Sequence, residues 1–524
     1  MIRLSEALHR NLAFWGMTLI ALGLPLSTIL MSVGQFVLVG NWLLEGDLKR
    51  RAKQFFTHRL SLVLVSIFFI HLIGMAWAPD LKAAWGDVQV KLPLLILPLV
   101  LFTSKLPEHK RLRQILYLFV LGTVAGSLVG LVNYLGLSAD VMVEKRHLSY
   151  FTSHIRFGMM TVFSIFILGY FLFLEWKIWP WAEQIFTLII IIWLFYFTVF
   201  LESVTAYIIF AALLALALAR LVIRSQRFWI KAVAAVLLVS VAISGTVYVF
   251  NIYQNQMLDH PFNYKTLDVF TPNGRYYAHE TNVLYTENGH RVWNYVCWDE
   301  LKQEWPKKSH MSIEGEDLRG QNLHYTLVRY MTSVGLRKDS IGVHQLTDQD
   351  VKNIELGFTN YRYTQTWGVS RRIAQLFWEI KEYRFQNNPN NASLIQRWVY
   401  TQVGIDIIRE NWAYGVGTAG LVDAYAKMYE RDNRNLNPEF QLIAHNQFLA
   451  VAICLGVFGG LWFMFAFLYP LFFFWKNFLY LSLIVLTAIS FLSDNTLGTQ
   501  SGTTLYAFMN ALLIVYSSFS KIED

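Results

Sequence analysis

The chain has 524 residues, of which 55% are hydrophobic and only 15% charged, with a mean hydropathy of +0.37. Soluble domains carry roughly 25% charge, and here the apolar residues gather into runs near the ~20-residue length that crosses a bilayer, so a soluble globular protein is excluded. The net charge of +8 does not indicate a nucleic-acid partner, because Lys and Arg fall largely in short loops and form no basic stripe with interleaved aromatics.

In chain order, the apolar runs predict about twelve spans. They centre on residues 12–29, 30–44, 60–78, 89–104, 114–136, 156–175, 183–201, 204–222, 229–251, 446–474, 477–493 and 502–519. Arg3 and Arg10 precede the first run, but no cleavage site follows, so that run is read as a retained span. The first two are separated weakly, by Pro25 and the Ser27–Thr28 pair. Aromatic residues make up 16%, as expected where Trp and Tyr sit at membrane interfaces. The two cysteines are Cys297, in a polar stretch, and Cys454, inside an apolar run, which argues against a disulfide framework.

Orientation follows from three short loops: 45–59 with Lys49, Arg50, Arg51, Lys53 and Arg59; 103–113 with Lys105, Lys110, Arg111 and Arg113; and 219–231 with Arg220, Arg224, Arg227 and Lys231. All three fall on one side if the spans alternate, and the positive-inside rule makes that side cytoplasmic. Both termini are then cytoplasmic, and the polar stretch 252–445 lies on the opposite face with loops 79–88, 137–155 and 494–501. The predicted fold class is an all-α polytopic membrane protein with one large mixed loop domain. Its parts are an N-terminal bundle over 1–251, the loop domain over 252–445, and closing spans over 446–524.

The loop domain predicts a hairpin of Val283–Tyr285 and Arg291–Val296 around Glu287-Asn288-Gly289, and helices over 323–334 and 371–386. Trp293, Trp298, Trp305, Trp367 and Trp378 give it apolar mass. Ser393 with Gln396 three residues later reads as a capping box that starts an amphipathic helix near 393–410, with Leu394, Trp398, Ile405 and Ile408 on one stripe. Asn391-Ala-Ser393 also matches a glycosylation acceptor but reads better as the cap.

Gly415-Val-Gly417-Thr-Ala-Gly420 matches a dinucleotide fingerprint, but a helix rather than a strand precedes it, so it reads as a turn where backbone passes closely. His445-Asn446 stands where the loop domain meets the next span. An imidazole there is placed to act as a general base, or simply to anchor the helix. Arg156, Arg397 and Lys91 are cations at the same predicted face on different helices; each alone can snorkel to lipid, and only their convergence would point to function. His71 reads as a buried, hydrogen-bonded histidine and Glu202 as structural. No metal-ligand spacing is present: no H-E-x-x-H and no paired Cys.

His445-Asn446, nine residues, Gly456, two residues and Gly459 together resemble the signature of the O-antigen ligase superfamily, which includes ligases, O-antigen polymerases and protein O-oligosaccharyltransferases. The stretch from Arg397-Trp398 through Gly415-Val-Gly417 to His445, the Arg156 segment and the layout of many spans, a large loop and a few closing spans are similar as well. One departure is Ser203-Val204, where members of the family often carry Ser-Arg.

The resemblance implies an inverting, metal-independent, cofactor-free glycosyltransferase at the periplasmic face of a bacterial inner membrane. Its donor would be a glycan on undecaprenyl pyrophosphate and its acceptor, in a ligase, the lipid A–core of lipopolysaccharide biosynthesis. His445 would be the base and Arg156 and Arg397, with Lys91 as a third candidate, would hold the pyrophosphate; Asn446, Gly415 and Gly417 would support the site. A polymerase or protein oligosaccharyltransferase would share this donor chemistry. A lipid-linked glycan transporter is less favoured, because no half-to-half repeat is visible and the polar residues gather at one face.

Overall fold

The computed structural model describes residues 5–135, 148–257, 263–283, 285–365, 368–390 and 392–523. Trp367, Leu284, Asn391 and most of the 137–155 loop lie outside them. The chain divides into two compact units, Met1–Leu238 with Arg397–Asp524, and Val239–Gln396.

The first unit opens with α1 (Glu6–Leu26) and α2 (Thr28–Leu44), then the short α3 (Leu48–Thr57), α4 (Arg59–Ile73), α5 (Leu81–Thr103), α6 (His109–Tyr134), α7 (His154–Glu175), α8 (Trp181–Phe200) and α9 (Val204–Arg224); α10 (Phe228–Met257) begins in it and continues into the second unit. The weak divide after Pro25 is a true break. Ser27 is extended, and its hydroxyl accepts the Leu30 amide at 3.3 Å, which ends one helix and caps the next.

Among the described residues, eight helices are long and apolar enough to cross a membrane, or nine if α2 and α3, bent by 114°, form one span. Each of the twelve predicted stretches contains helix among the described residues, but the count of crossing helices is lower. The helix Phe478–Ser493 has only 16 residues. Polar side chains dilute α1 (Glu6, His9, Arg10, Asn11) and the last helix (Thr503, Thr504, Asn510, Ser517). Apolar side chains on α8 to α10 remain largely exposed, Phe228 by 85%, an arrangement that a bilayer supports and water does not. The chain is a multi-pass membrane protein.

Two of the basic loops, 45–59 and 103–113, meet at one end of the bundle. Glu45 holds the buried Arg51 and also accepts the Lys105 amide at 3.3 Å, which joins loop 45–59 to loop 103–113. Arg113 pairs with Glu175 at the end of α7. Twenty-two residues at about 1.5 Å each then carry α7 roughly 33 Å, so Arg156 in its first turn stands at the opposite end.

The second unit contains α11 (Trp298–Glu304), α12 (Leu323–Val334), α13 (Ser340–Gln345), α14 (Asp348–Glu355), α15 (Arg362–Gln365) and α16 (Gly368–Gln386) around Trp305, Leu323, Leu327, Met331, Val343 and Ile354. The predicted helices over 323–334 and 371–386 are present as α12 and α16. The hairpin is shorter than expected: β1 (Thr286–Glu287) pairs antiparallel with β2 (His290–Arg291) across Asn288 and Gly289, both at positive φ. The Val292 amide still donates to the Tyr285 carbonyl at 3.0 Å, and farther on Val296 pairs with Ala278. Glu287 is buried against Arg329 and Asn360, and the Arg329 guanidinium lies 4.4 Å from the Trp378 ring centre.

The chain then returns through α17 (Ser393–Glu410), α18 (Leu421–Arg431), α19 (Gln447–Leu468), α20 (Leu471–Phe474), α21 (Phe478–Ser493) and α22 (Gln500–Glu523). The start of α17 departs from the expected capping box. The Leu394 amide donates to Glu379 Oε2 at 2.7 Å, and the Ser393 hydroxyl also turns to Glu379, because a full carboxylate charge is the stronger helix cap. The packed face differs too. Val399, Tyr400, Val403 and Ile407 are buried, whereas Trp398 and Ile405 are 58% and 40% exposed. Both faces are apolar, so periodicity alone does not choose between them.

Candidate functional site

Asn446 is extended, and its Oδ1 accepts the Leu449 amide at 3.0 Å, so its side chain caps α19 and fixes where that helix begins. His445 is thereby held just ahead of a long apolar helix. One residue into the helix, Gln447 Oε1 accepts the Leu497 amide at 2.7 Å and ties this end of α19 to the turn that follows α21. That turn begins with Asp494, whose own amide closes α21 on Ser490 at 2.8 Å.

Asp494 is the centre of the arrangement. Its Oδ1 lies 3.9 Å from His445 Nδ1, and its Oδ2 lies 3.3 Å from Arg156 Nη2. The first separation exceeds a hydrogen bond and is an electrostatic contact; the second is a long charged hydrogen bond. Ser153 caps α7 by accepting the Arg156 amide at 3.4 Å, which sets the height of Arg156. The Arg156–Asp494 pair is largely buried, and Arg156 Nε is buried without a hydrogen-bond partner.

Arg397, in the second turn of α17, is exposed and has no ion-pair partner among the described residues. Its charge reaches His445. Burial chiefly, and then Arg397, draw the imidazole below its ordinary value, against the opposing pull of Asp494. At neutral pH the ring is therefore uncharged and free to accept a proton. His445 and Arg156 thus meet at Asp494, and the charge of Arg397 acts on His445.

Asp494 was not singled out by sequence reasoning. A signal was present, since it is the only acidic residue between Glu439 and Glu523, directly after an apolar run.

Lys91 does not join this group. It is buried in α5 and paired with Asp87 at 2.6 Å, and its charge is felt at His71 and Cys454. Among the described residues, no ion pair or hydrogen bond links it to His445, Arg156 or Arg397. His71 is buried as expected, but neither ring nitrogen has a hydrogen-bond partner; only its backbone carbonyl is engaged, by the Thr418 hydroxyl at 2.6 Å.

Gly415 and Gly417 act on the helix rather than on the imidazole. At Gly456 (φ 70°, ψ −176°) α19 breaks, about 14 Å along from its start. The break frees carbonyls that have no water to bond if they lie at membrane depth. The 411–420 loop supplies the missing donors. The Val416 and Gly417 amides donate to the carbonyls of Ile453 and Cys454, both at 2.9 Å, and the Val457 amide donates to the Trp412 carbonyl at 2.8 Å. A Cβ at Gly415 would stand 2.5 Å from backbone atoms of Cys454 and Gly456. The glycine-rich stretch and the Gly456 of the His-Asn signature are thus two halves of one backbone junction.

Gly456→Ala is expected to lower the thermal unfolding temperature in detergent. Its backbone region is nearly glycine-only and costs about 1–3 kcal/mol to impose on another residue, and the new Cβ would strike the Ala413 carbonyl. Gly169→Ala, with open space around its Cβ, is the control and leaves the transition unchanged or raised. Equal transitions for both variants would contradict the junction.

Among the described residues, no group of three or more His, Cys, Asp or Glu is arranged to hold a metal ion. The fold and site define a class: a multi-pass membrane protein with a histidine, a carboxylate and two arginines clustered at one end of its bundle. Residues 357–464 match the family model described as O-Antigen ligase, so this segment is similar to that family's domain. No curated protein matches the chain.

Proposed function

We propose that this chain is an inverting glycosyltransferase of the ligase type, moving a glycan from undecaprenyl pyrophosphate to the lipid A–core. The reaction takes place at the periplasmic face of a bacterial inner membrane, with both chain ends cytoplasmic. The observation that carries the reading is the meeting of His445 and Arg156 on Asp494, with Arg397 free beside them. Its place at the end of the bundle away from the basic loops supports the periplasmic assignment.

His445 takes the proton from the acceptor hydroxyl as that oxygen attacks the anomeric carbon. The bond from that carbon to the phosphate oxygen breaks with inversion, and the electron pair leaves on the pyrophosphate. Arg397 and Arg156 receive this charge, since guanidinium groups match phosphate oxygens in geometry and keep their charge. Asp494 stabilises the imidazolium as it forms and keeps Arg156 oriented. Lys91, neutralised by Asp87, takes no part. A polymerase or protein oligosaccharyltransferase would run the same steps with another acceptor.

The acceptor test uses purified chain in proteoliposomes with labelled carrier-linked glycan, offered lipid A–core, a second carrier-linked glycan or an acceptor protein in turn. Label moving to lipid A–core is expected. Label moving only to one of the others would replace the ligase reading.

The base must be neutral to work, so activity is expected to be full at pH 7 and to fall as pH drops through the depressed His445 value, below 6.5. Asp494→Asn removes the one influence that raises that value, so the acid limb of the pH–rate profile should move to lower pH, on a reduced maximum. A limb that moves toward neutrality would contradict the assignment of His445 as the titrating base.

A further inference from the structure

The second unit holds a cleft of about 320 Å³, within the size range of small-molecule sites. Its wall includes Gly289, Arg291, Asn294, Tyr295, Arg337 and Lys338, and no carboxylate lines it among the described residues. A cleft lined by one sign of charge concentrates ligands of the other.

Two buried side chains single it out from a merely basic surface. Asn294 is 2% exposed, and its Oδ1 has no hydrogen-bond partner. A buried acceptor left unmade is costly, and a ligand hydroxyl would satisfy it. Lys338 is 3% exposed, its ammonium held only by a 3.5 Å contact to the Arg291 carbonyl. Burial pulls it down to about 7, with Asp339 opposing and Arg337 adding to the fall. An anion in the cleft would relieve that penalty. Arg337 is paired with Asp268 at 2.5 Å and lies 4.4 Å from the centre of the half-buried Tyr295 ring. That ring offers an apolar face beside the cations.

We propose that this cleft is a second, non-catalytic saccharide site, one that takes a sugar bearing a phosphate or carboxylate group. The anionic group meets Lys338 and Arg291, a ring hydroxyl donates to Asn294 Oδ1, and the sugar ring rests on Tyr295. The site uses none of the residues around Asp494 and does not depend on the reaction assigned to them.

Binding is measured on the full chain in detergent by titration calorimetry, with glucose 6-phosphate, glucuronate, glucose and inorganic phosphate as probes. The two acidic sugars are expected to saturate at least tenfold more tightly than glucose or phosphate. Asn294→Asp keeps the shape but adds a negative charge, and should weaken them tenfold or more; Lys338→Met should do the same. Thermal unfolding of each variant establishes that it is folded, and His445→Ala should bind as the unaltered chain does. The proposal is overturned if neither acidic sugar saturates or if phosphate alone binds as tightly. Undiminished affinity in folded Asn294→Asp, or loss of binding in His445→Ala, would overturn it equally.

Discussion

His445→Ala is expected to lower the transfer rate of the purified chain by about 10²–10⁴-fold, the range a positioned general base supplies. The expectation rests on position as much as on residue type. The imidazole is 41% exposed and lies 3.9 Å from the Asp494 carboxylate. Burial and Arg397 keep it uncharged where an exposed histidine would already be partly protonated near its ordinary value. The loss should fall on the turnover number, because a proton in flight exists only in the transition state. Its fold should survive, since Asn446 and Gln447, not His445, secure this end of α19. Initial rates with labelled carrier-linked glycan measure the effect. A variant that is folded and within threefold of the unaltered rate would reduce His445 to an interfacial anchor.

The second large effect belongs to Arg397. Arg397→Ala is expected to lower kcat/KM by about 10²–10³-fold, comparable to removing one preorganised donor from a developing anion. Arg397 is exposed and has no ion-pair partner among the described residues, so its removal breaks no structural pair. Arg397→Lys should recover part of the loss, because it restores charge without the planar fork. Thermal unfolding unchanged in both variants separates this from a folding defect. Full activity in Arg397→Ala would place the pyrophosphate elsewhere, with Arg156 left as the candidate cation at this end.

What the sequence discloses about this molecule depends on range. Helices are legible because length, apolar content and period are local properties, and the 323–334 helix is found at its expected residues. His445 and Arg156 are legible as polar groups at the ends of apolar runs, a placement that costs energy unless it serves something. Asp494 is harder to see, because an acid in a short loop looks like any solvated turn until α7, α19 and α21 bring it between an arginine and a histidine. The packing face of α17 is ambiguous because two stripes compete, and its cap escapes a local motif because Glu379 arrives from another helix. The glycines at 415 and 417 are recognisable as a close-approach turn, but their partner, the break at Gly456, is separated from them by about forty residues of chain that no periodicity spans.

The central claim is that the residues around Asp494 pass a glycan from its lipid carrier to an acceptor. It is tested most directly by sizing glycans on both the outer-membrane lipid and the undecaprenyl carrier in a host whose only copy carries His445→Ala. The predicted result is loss of long chains from the lipid A–core with their accumulation on the carrier. Unchanged profiles on both, with the variant stably inserted, would contradict it.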